Sequence, residues 1–250
     1  MTGATLKALN DKIAIVTGGS SGFGLGIARQ LAAAGATVWI TGRTESALQE
    51  AAATLGVKHQ VADVGSPVDW DRLLERVLAE EGRVDILVNN AGGGVKVEPL
   101  VEQSDDEIAQ SVAVNLTGVM LGCRRAASIM KRQGDGMIVN VSSVCAVHAW
   151  PGWGPYSAAK AGLDQFGRCL HVELRDAGVR VTTLTPSWGA TEFAAAASIA
   201  GHPTVDPQVR AQCIQADDIG EMVVHICTRP THLVVPEMRV QPMVQDITPM

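Results

Sequence analysis

Ile13-Ala14-Ile15-Val16-Thr17-Gly18-Gly19-Ser20-Ser21-Gly22-Phe23-Gly24 is the stretch on which the fold turns. Its first four residues are apolar and mostly β-branched, and the run is too short for a helix. They read as a strand buried on both faces. The glycines and serines after it let the backbone turn sharply, and a helical segment then runs to Ala34 and stops at Gly35. A strand that passes through such a turn into a helix offers free N–H groups and the positive end of the helix dipole to whatever lies above it, and a pyrophosphate suits that place. Glycines alone would argue this weakly, since a Gly/Ser turn also serves without a ligand. Their position directly after the first strand of an alternating pattern is what favours a dinucleotide.

Outward from this turn the alternation continues. Thr37 to Thr41 reads as a strand, Arg43 to Leu55 as a helix, and His59 to Val61 as a strand. Pro67 opens a helix, in the position proline tolerates best. Val84 to Val88 is a fourth strand. A long helix is expected from Ser104 to Arg132, with Ser104 and Glu107 fitting a capping box. Met137 to Val141, a helix from Tyr156 to Ala177, Val179 to Leu184, a helix from Asp217 to Cys227, and a last strand at Met238 to Gln241 complete the series. Strands apolar on both faces and separated by helices require a parallel sheet covered on both sides. The expectation is therefore a doubly wound, Rossmann-type α/β fold: a three-layer sandwich around a mostly parallel seven-stranded sheet, with residues 1–250 forming one dinucleotide-binding domain that carries the catalytic site. Residues 192–215, Ala-rich and then broken by Gly201-His202-Pro203 and Pro207, break this rhythm and read as a mobile substrate flap.

Composition narrows the function. Of the 250 residues 46% are hydrophobic and 18% charged, a globular balance, and the formal charge of −6 disfavours nucleic acid and anionic membranes as partners. Five cysteines, none in a Cys-x-x-Cys pair, read as reduced thiols of a cytoplasmic protein. Met1 to Lys12 lacks the apolar stretch of a signal peptide, and no apolar run is long enough to span a bilayer. The six histidines form no His-Glu-x-x-His pattern, so no metal site is expected.

The turn Thr17-Gly18-x-x-x-Gly22-x-Gly24 resembles the fingerprint of the short-chain dehydrogenase/reductase family, in its compact single-domain branch. The resemblance continues in order along the chain: Asp63-Val64 after the third strand, Asn89-Asn90-Ala91-Gly92 after the fourth, Asn115 in the long helix, Ser142-Ser143 after the fifth strand, and Tyr156-Ser157-Ala158-Ala159-Lys160. It implies hydride transfer between a nicotinamide cofactor and a carbonyl or alcohol, with Asn115, Ser143, Tyr156 and Lys160 as catalytic residues. It also implies cofactor contacts from Gly18, Ser20, Ser21, Gly22, Phe23, Gly24, Arg43, Asp63, Val64, Asn90, Ala91, Gly92, Tyr156, Lys160, Pro186, Gly189 and Thr191. The family has Pro-Gly after the sixth strand where this chain has Pro186-Ser187-Trp188-Gly189, which leaves the local backbone and the pocket shape open. The family forms tetramers through the helices that precede and carry the tyrosine, so a homotetramer or homodimer is expected.

The chemistry agrees with those residue types. Tyr156 is the only tyrosine in the chain, and Lys160, four residues on, shares its helix face. A free phenol has a pKa of about 10, and a neighbouring ammonium is expected to lower it. Tyr156 then donates a proton in reduction and accepts one in oxidation, while Ser143 hydrogen-bonds the substrate oxygen. The resemblance assigns Lys160 to the nicotinamide ribose and Asn115 to a water that leads to solvent. The resemblance places Trp150, Trp153 and Trp188 at the substrate pocket beside Ser143 and Tyr156, which points to an apolar or ring-bearing substrate, with core packing as the alternative reading for the three; Trp39 and Trp70 read as packing residues. At the end of the second strand Gly42 stands where an NAD enzyme places an acid, and Arg43 follows, so NADP(H) is expected over NAD(H). The rival readings are a non-catalytic NADP(H)-binding sensor on the same fold and an epimerase or dehydratase, because fold does not fix function.

Overall fold

The structure is a computed structural model that describes residues 8–93, 95–197, 199 and 201–246. Seven strands, β1 (Ile13–Thr17), β2 (Thr37–Gly42), β3 (Lys58–Val61), β4 (Ile86–Asn89), β5 (Gly136–Val141), β6 (Val179–Pro186) and β7 (Glu237–Val240), form one sheet in the order β3-β2-β1-β4-β5-β6-β7. Every pairing is parallel. Helices α1 (Gly22–Ala33), α2 (Glu45–Leu55) and α9 (Ala216–Cys227) carry residues of one core layer, and α3 (Pro67–Glu81), α5 (Gly118–Gln133) and α6 (Gly154–Leu174) of the other. The alternation of β1 divides its side chains between them: Ala14 and Val16 enter the first layer, Ile13 and Ile15 the second. This is the expected doubly wound fold. The order reverses between β1 and β4, which opens a crevice at the carboxyl ends of the strands.

Several boundaries differ from the sequence reading, each for a physical reason. The long helix expected from Ser104 is α4 (Asp105–Val112), with the capping box formed, then a π-helical turn at Ala113–Thr117, then α5. Sequence periodicity cannot reveal one extra residue in a turn. The helix expected from Arg43 starts at Glu45, which leaves Arg43 and Thr44 in the loop. That from Tyr156 starts at Gly154, ahead of Pro155, and closes in a 3-10 turn at Arg175–Ala177. The 192–215 segment holds α7 (Phe193–Ala196), a 3-10 turn at Pro203–Val205 and α8 (Pro207–Ala211), each too short to show a period. Trp39 and Trp70 are core residues, as expected, with their ring N–H groups donating to Glu81 Oε1 and to the Val64 carbonyl.

Close backbone approach fixes α1. A Cβ on Gly26 would stand 2.1 Å from the Ala216 carbonyl oxygen, and one on Gly220 would stand 2.5 Å from the Gly26 oxygen. Only glycine lets α1 and α9 come this close.

Candidate active site

The glycine turn is held from three sides. Gly18 and Gly22 have φ of +65° and +51°, which glycine adopts without strain. The N–H groups of Gly18 and Gly19 donate to the Thr41 carbonyl at 2.7 and 3.2 Å, tying the turn to β2. Thr17 Oγ1 accepts from the N–H groups of Asn90 and Ala91 at 3.0 and 2.9 Å, and Asn90 Nδ2 donates back to the Thr17 carbonyl at 2.9 Å. The Asn89 to Gly92 motif therefore works partly as a brace: the Asn90 amide is spent on the turn. Gly24 lies behind the turn, where a Cβ would meet the Gly18 oxygen at 2.1 Å, and it is absent from the cavity wall. Its role is to allow the approach of α1 to the turn.

Above the turn lies a cavity of about 790 Å³. Its wall includes Gly18, Ser20, Ser21, Gly22, Phe23, Arg43, Asp63, Val64, Asn90, Ala91 and Gly92, and at the other end Ser143, Trp150, Trp153, Tyr156, Lys160, Pro186, Trp188, Gly189 and Thr191. These are the residues the sequence singled out, apart from Gly24 and Asn115. The first turn of α1 carries no acidic residue and Ser21 makes no side-chain cap, so its N–H groups face the cavity without a competing anion. The cradle left by the missing glycine side chains fits a pyrophosphate. Arg43 is exposed on the rim and makes no ion pair among the described residues. Asp63 Oδ1 accepts from the Gly65 N–H at 2.8 Å, which fixes the bend after β3.

Tyr156 is buried near the start of α6, and Lys160 follows one turn later. Lys160 Nζ donates to the Val141 carbonyl at 2.8 Å and stands 5.8 Å from the Tyr156 ring centre. Burial pushes the phenol above its ordinary value; Cys145 adds to this and the Ser143 hydroxyl opposes it. Burial likewise draws Lys160 down to about 8, against the pull of Asp164 and Cys145. The net shift of the phenol is thus upward, not downward as the helix spacing suggested. Both groups are desolvated, which disfavours the charged form of each. Ser143 Oγ accepts from the Cys145 N–H at 3.2 Å, closing the turn after β5.

Asn115 is fully buried in the π turn, outside the cavity wall. Its Nδ2 donates to the carbonyls of Gly93 and Ser111 at 2.7 and 2.8 Å, so it steadies the loop beyond β4, and its Oδ1 has no partner among the described residues.

The substrate end is aromatic. Trp153 and Phe193 stack with centres 6.3 Å apart, and each lies within 6 Å of the Tyr156 ring, at 5.7 and 5.8 Å. Trp188 meets the edge of His202 at 5.5 Å. Phe193 and His202 were not foreseen: a single aromatic in an Ala-rich stretch carries no periodic signal, although Phe193 follows Thr191 by only two residues. Ser187 needs no left-handed backbone, since Asp11 alone among the described non-glycine residues has positive φ. The glycine expected there is therefore dispensable to the chain path.

The short chain dehydrogenase family matches residues 12–200. An uncharacterised oxidoreductase of Staphylococcus saprophyticus is 31% identical over 242 residues, covering 94% of this chain and 99% of the relative. Among solved structures, the closed form of a serine dehydrogenase complexed with NADP+ superposes with a TM-score of 0.88 at 28% identity, covering 95% of this chain and 98% of that one. A metagenomic short-chain oxidoreductase in complex with NADP gives 0.82 at 29% identity, covering 96% and 100%. With a family match over most of its length and relatives aligned nearly end to end, the chain belongs to the short-chain dehydrogenase family of oxidoreductases.

Proposed function

We propose that the protein is an NADP(H)-dependent oxidoreductase that interconverts a small, apolar or ring-bearing carbonyl and its alcohol, with Tyr156 as the acid/base. The observation that carries this reading is convergence: Ser143, Tyr156 and Lys160 line the same cavity as the glycine turn and Arg43. When bound, the nicotinamide cofactor supplies the hydride that carbon chemistry requires. The chain supplies the rest. The turn at Ser20 to Phe23 and the start of α1 hold the phosphates, and Arg43 is placed to grip a 2′-phosphate with paired hydrogen bonds. Ser143 holds the substrate oxygen, and Tyr156 gives it a proton in reduction or takes one in oxidation. Lys160 favours the phenolate whenever it is charged.

NADP in the two structural neighbours above supports the cofactor choice, as does the absence of an acid at Gly42. Trp150, Trp153, Trp188 and Phe193 supply the apolar end, and Glu192 there is neutralised by Arg210 at 2.7 Å. The five cysteines are all free thiols, in keeping with the reducing cytoplasm. No described helix is long and apolar enough to cross a membrane. Exposed Met120 on α5 and Val172 on α6 suit pairing of these helices between copies in a homotetramer or homodimer, measurable by light scattering.

Tyr156→Phe keeps the ring and removes the proton donor. With NADPH and a panel of ketones it should cost about 10²–10⁴-fold in turnover, with the Kd for NADPH nearly unchanged. A variant as fast as the parent chain would remove Tyr156 from the mechanism.

A further inference from the structure

The segment after β7 returns to the site. Gln245 is 5% exposed and lines the cavity. Its side-chain carbonyl accepts two hydrogen bonds, one from the Ser187 hydroxyl and one from the Trp188 N–H at 3.2 Å. A backbone N–H can only donate, so the amide oxygen is the end that faces the Trp188 strand exit. Gln245 is itself anchored: its N–H donates to the Pro242 carbonyl at 3.1 Å, and Gln241 Nε2 donates to the Gln245 carbonyl at 2.9 Å. The Ser187 N–H donates to the Val240 carbonyl at 3.0 Å. From the other side, the Trp188 carbonyl accepts from the Ile214 N–H at 3.0 Å, and the indole rests on His202. Trp188 is thus clamped between the C-terminal segment and the 192–215 segment. The oxygen of Gln245 is the one side-chain hydrogen-bond acceptor in that clamp from the C-terminal side among the described residues.

We propose that Gln245 is a specificity-setting positioning residue: by accepting from Ser187 and Trp188 it pins the Trp188 indole as a wall of the pocket, so that the C-terminal segment decides how well bulky apolar carbonyls bind. The proposal rests on the oxidoreductase reading and deepens it. A buried acceptor holding two donors fixes a backbone closely, and losing it leaves both donors to find water, which frees the loop to move. Bulky substrates that lean on the indole lose contact area; small ones that sit beside Tyr156 do not.

The test uses two readouts. In the first, KM and kcat are measured with NADPH for cyclohexanone and for 2-tetralone. Gln245→Ala should raise KM for 2-tetralone about threefold or more relative to cyclohexanone, with kcat for cyclohexanone within about twofold of the parent chain. In a Trp188→Ala background the same substitution should add nothing, because its effect passes through the indole. Ser187→Ala removes one of the two donors and should give an intermediate shift; it also carries the test if Gln245→Ala does not fold. The second readout is acrylamide quenching of Trp188, taken as the difference from Trp188→Ala, which needs no substrate. Gln245→Ala, or Ser187→Ala in its place, should raise it. Unchanged quenching overturns the clamp even if no ketone is turned over, whereas increased quenching without any turnover would sink the proposed activity and leave the clamp standing. An equal KM effect with and without Trp188 would also overturn the proposal.

Discussion

At the scale of single residues, burial governs the site. Lys160 is the clearest case. Its pKa is about 8 in the folded chain against 10.5 for a free lysine. Between these values the unfolded chain still binds a proton that the folded chain has released, so stability rises with pH through this window, and the full penalty applies below it. Lys160→Met removes the charge and forfeits one bond to the Val141 carbonyl, a loss of about 1 kcal/mol. In the absence of cofactor the variant should be more stable at pH 7 by about 2 kcal/mol, the advantage fading as pH passes from 8 to 10.5. Denaturant melts across that range check it, and a pH-independent difference would show that Lys160 is not buried as a weakened base. Position 42 offers a second residue-scale test. A Cβ there meets nothing closer than 3.7 Å, at Leu48 Cδ2, an ordinary contact distance, so a side chain can start from this position. Gly42→Asp should weaken NADPH by repulsion, and Arg43→Ala should weaken it about ten- to a hundredfold with little effect on NADH. Equal kcat/KM for the two cofactors in the parent chain would defeat the assignment of Arg43.

At the scale of elements, the pocket is made where short pieces meet a long one. Trp153 ends the loop before α6, and Phe193 begins α7; their stacking joins the 192–215 segment to the helix that carries Tyr156. Aromatic pairs of this kind contribute about 0.5–1.5 kcal/mol beyond area burial. Trp153→Ala and Phe193→Ala should each raise KM for bulky apolar carbonyls more than for small ones, and the double variant should lose less than the two single losses combined, by that coupling. Full additivity would mean that the two rings act separately. The π turn at Ala113–Thr117 belongs to this scale too: its widened backbone sets Asn115 to reach the Gly93 carbonyl, a contact that a regular helix of the same sequence would place differently.

At the scale of the whole molecule, the cavity spans the point where the sheet order reverses, so a dinucleotide would bridge elements from both halves of the chain. Binding to the folded state alone adds about 2.7 kcal/mol at a ligand concentration of 100 Kd. For a chain of this size that corresponds to a rise in Tm of about 5–10 °C with NADPH. Tyr156→Phe should keep the full rise, and Arg43→Ala should lose about half of it or more at the same NADPH concentration. No rise with either cofactor would contradict a nucleotide site at the glycine turn.

The chain order of strands and helices, the glycine turn and the spacing of Tyr156 and Lys160 were legible along the sequence. Each depends on local backbone sterics, on a hydrophobic period or on a spaced pattern, all of which are properties of neighbours in the chain. Tertiary structure alone decided the rest. Gly24 turned out to serve the approach of α1 to the turn, Asn90 to brace Thr17, and Asn115 to hold Gly93 from outside the cavity. Phe193, His202 and Gln245 joined the pocket wall. The direction in which Tyr156 and Lys160 shift also waited on the fold, because desolvation is set by everything packed around a group. Helix spacing alone shows only that the lysine and the phenol share a face.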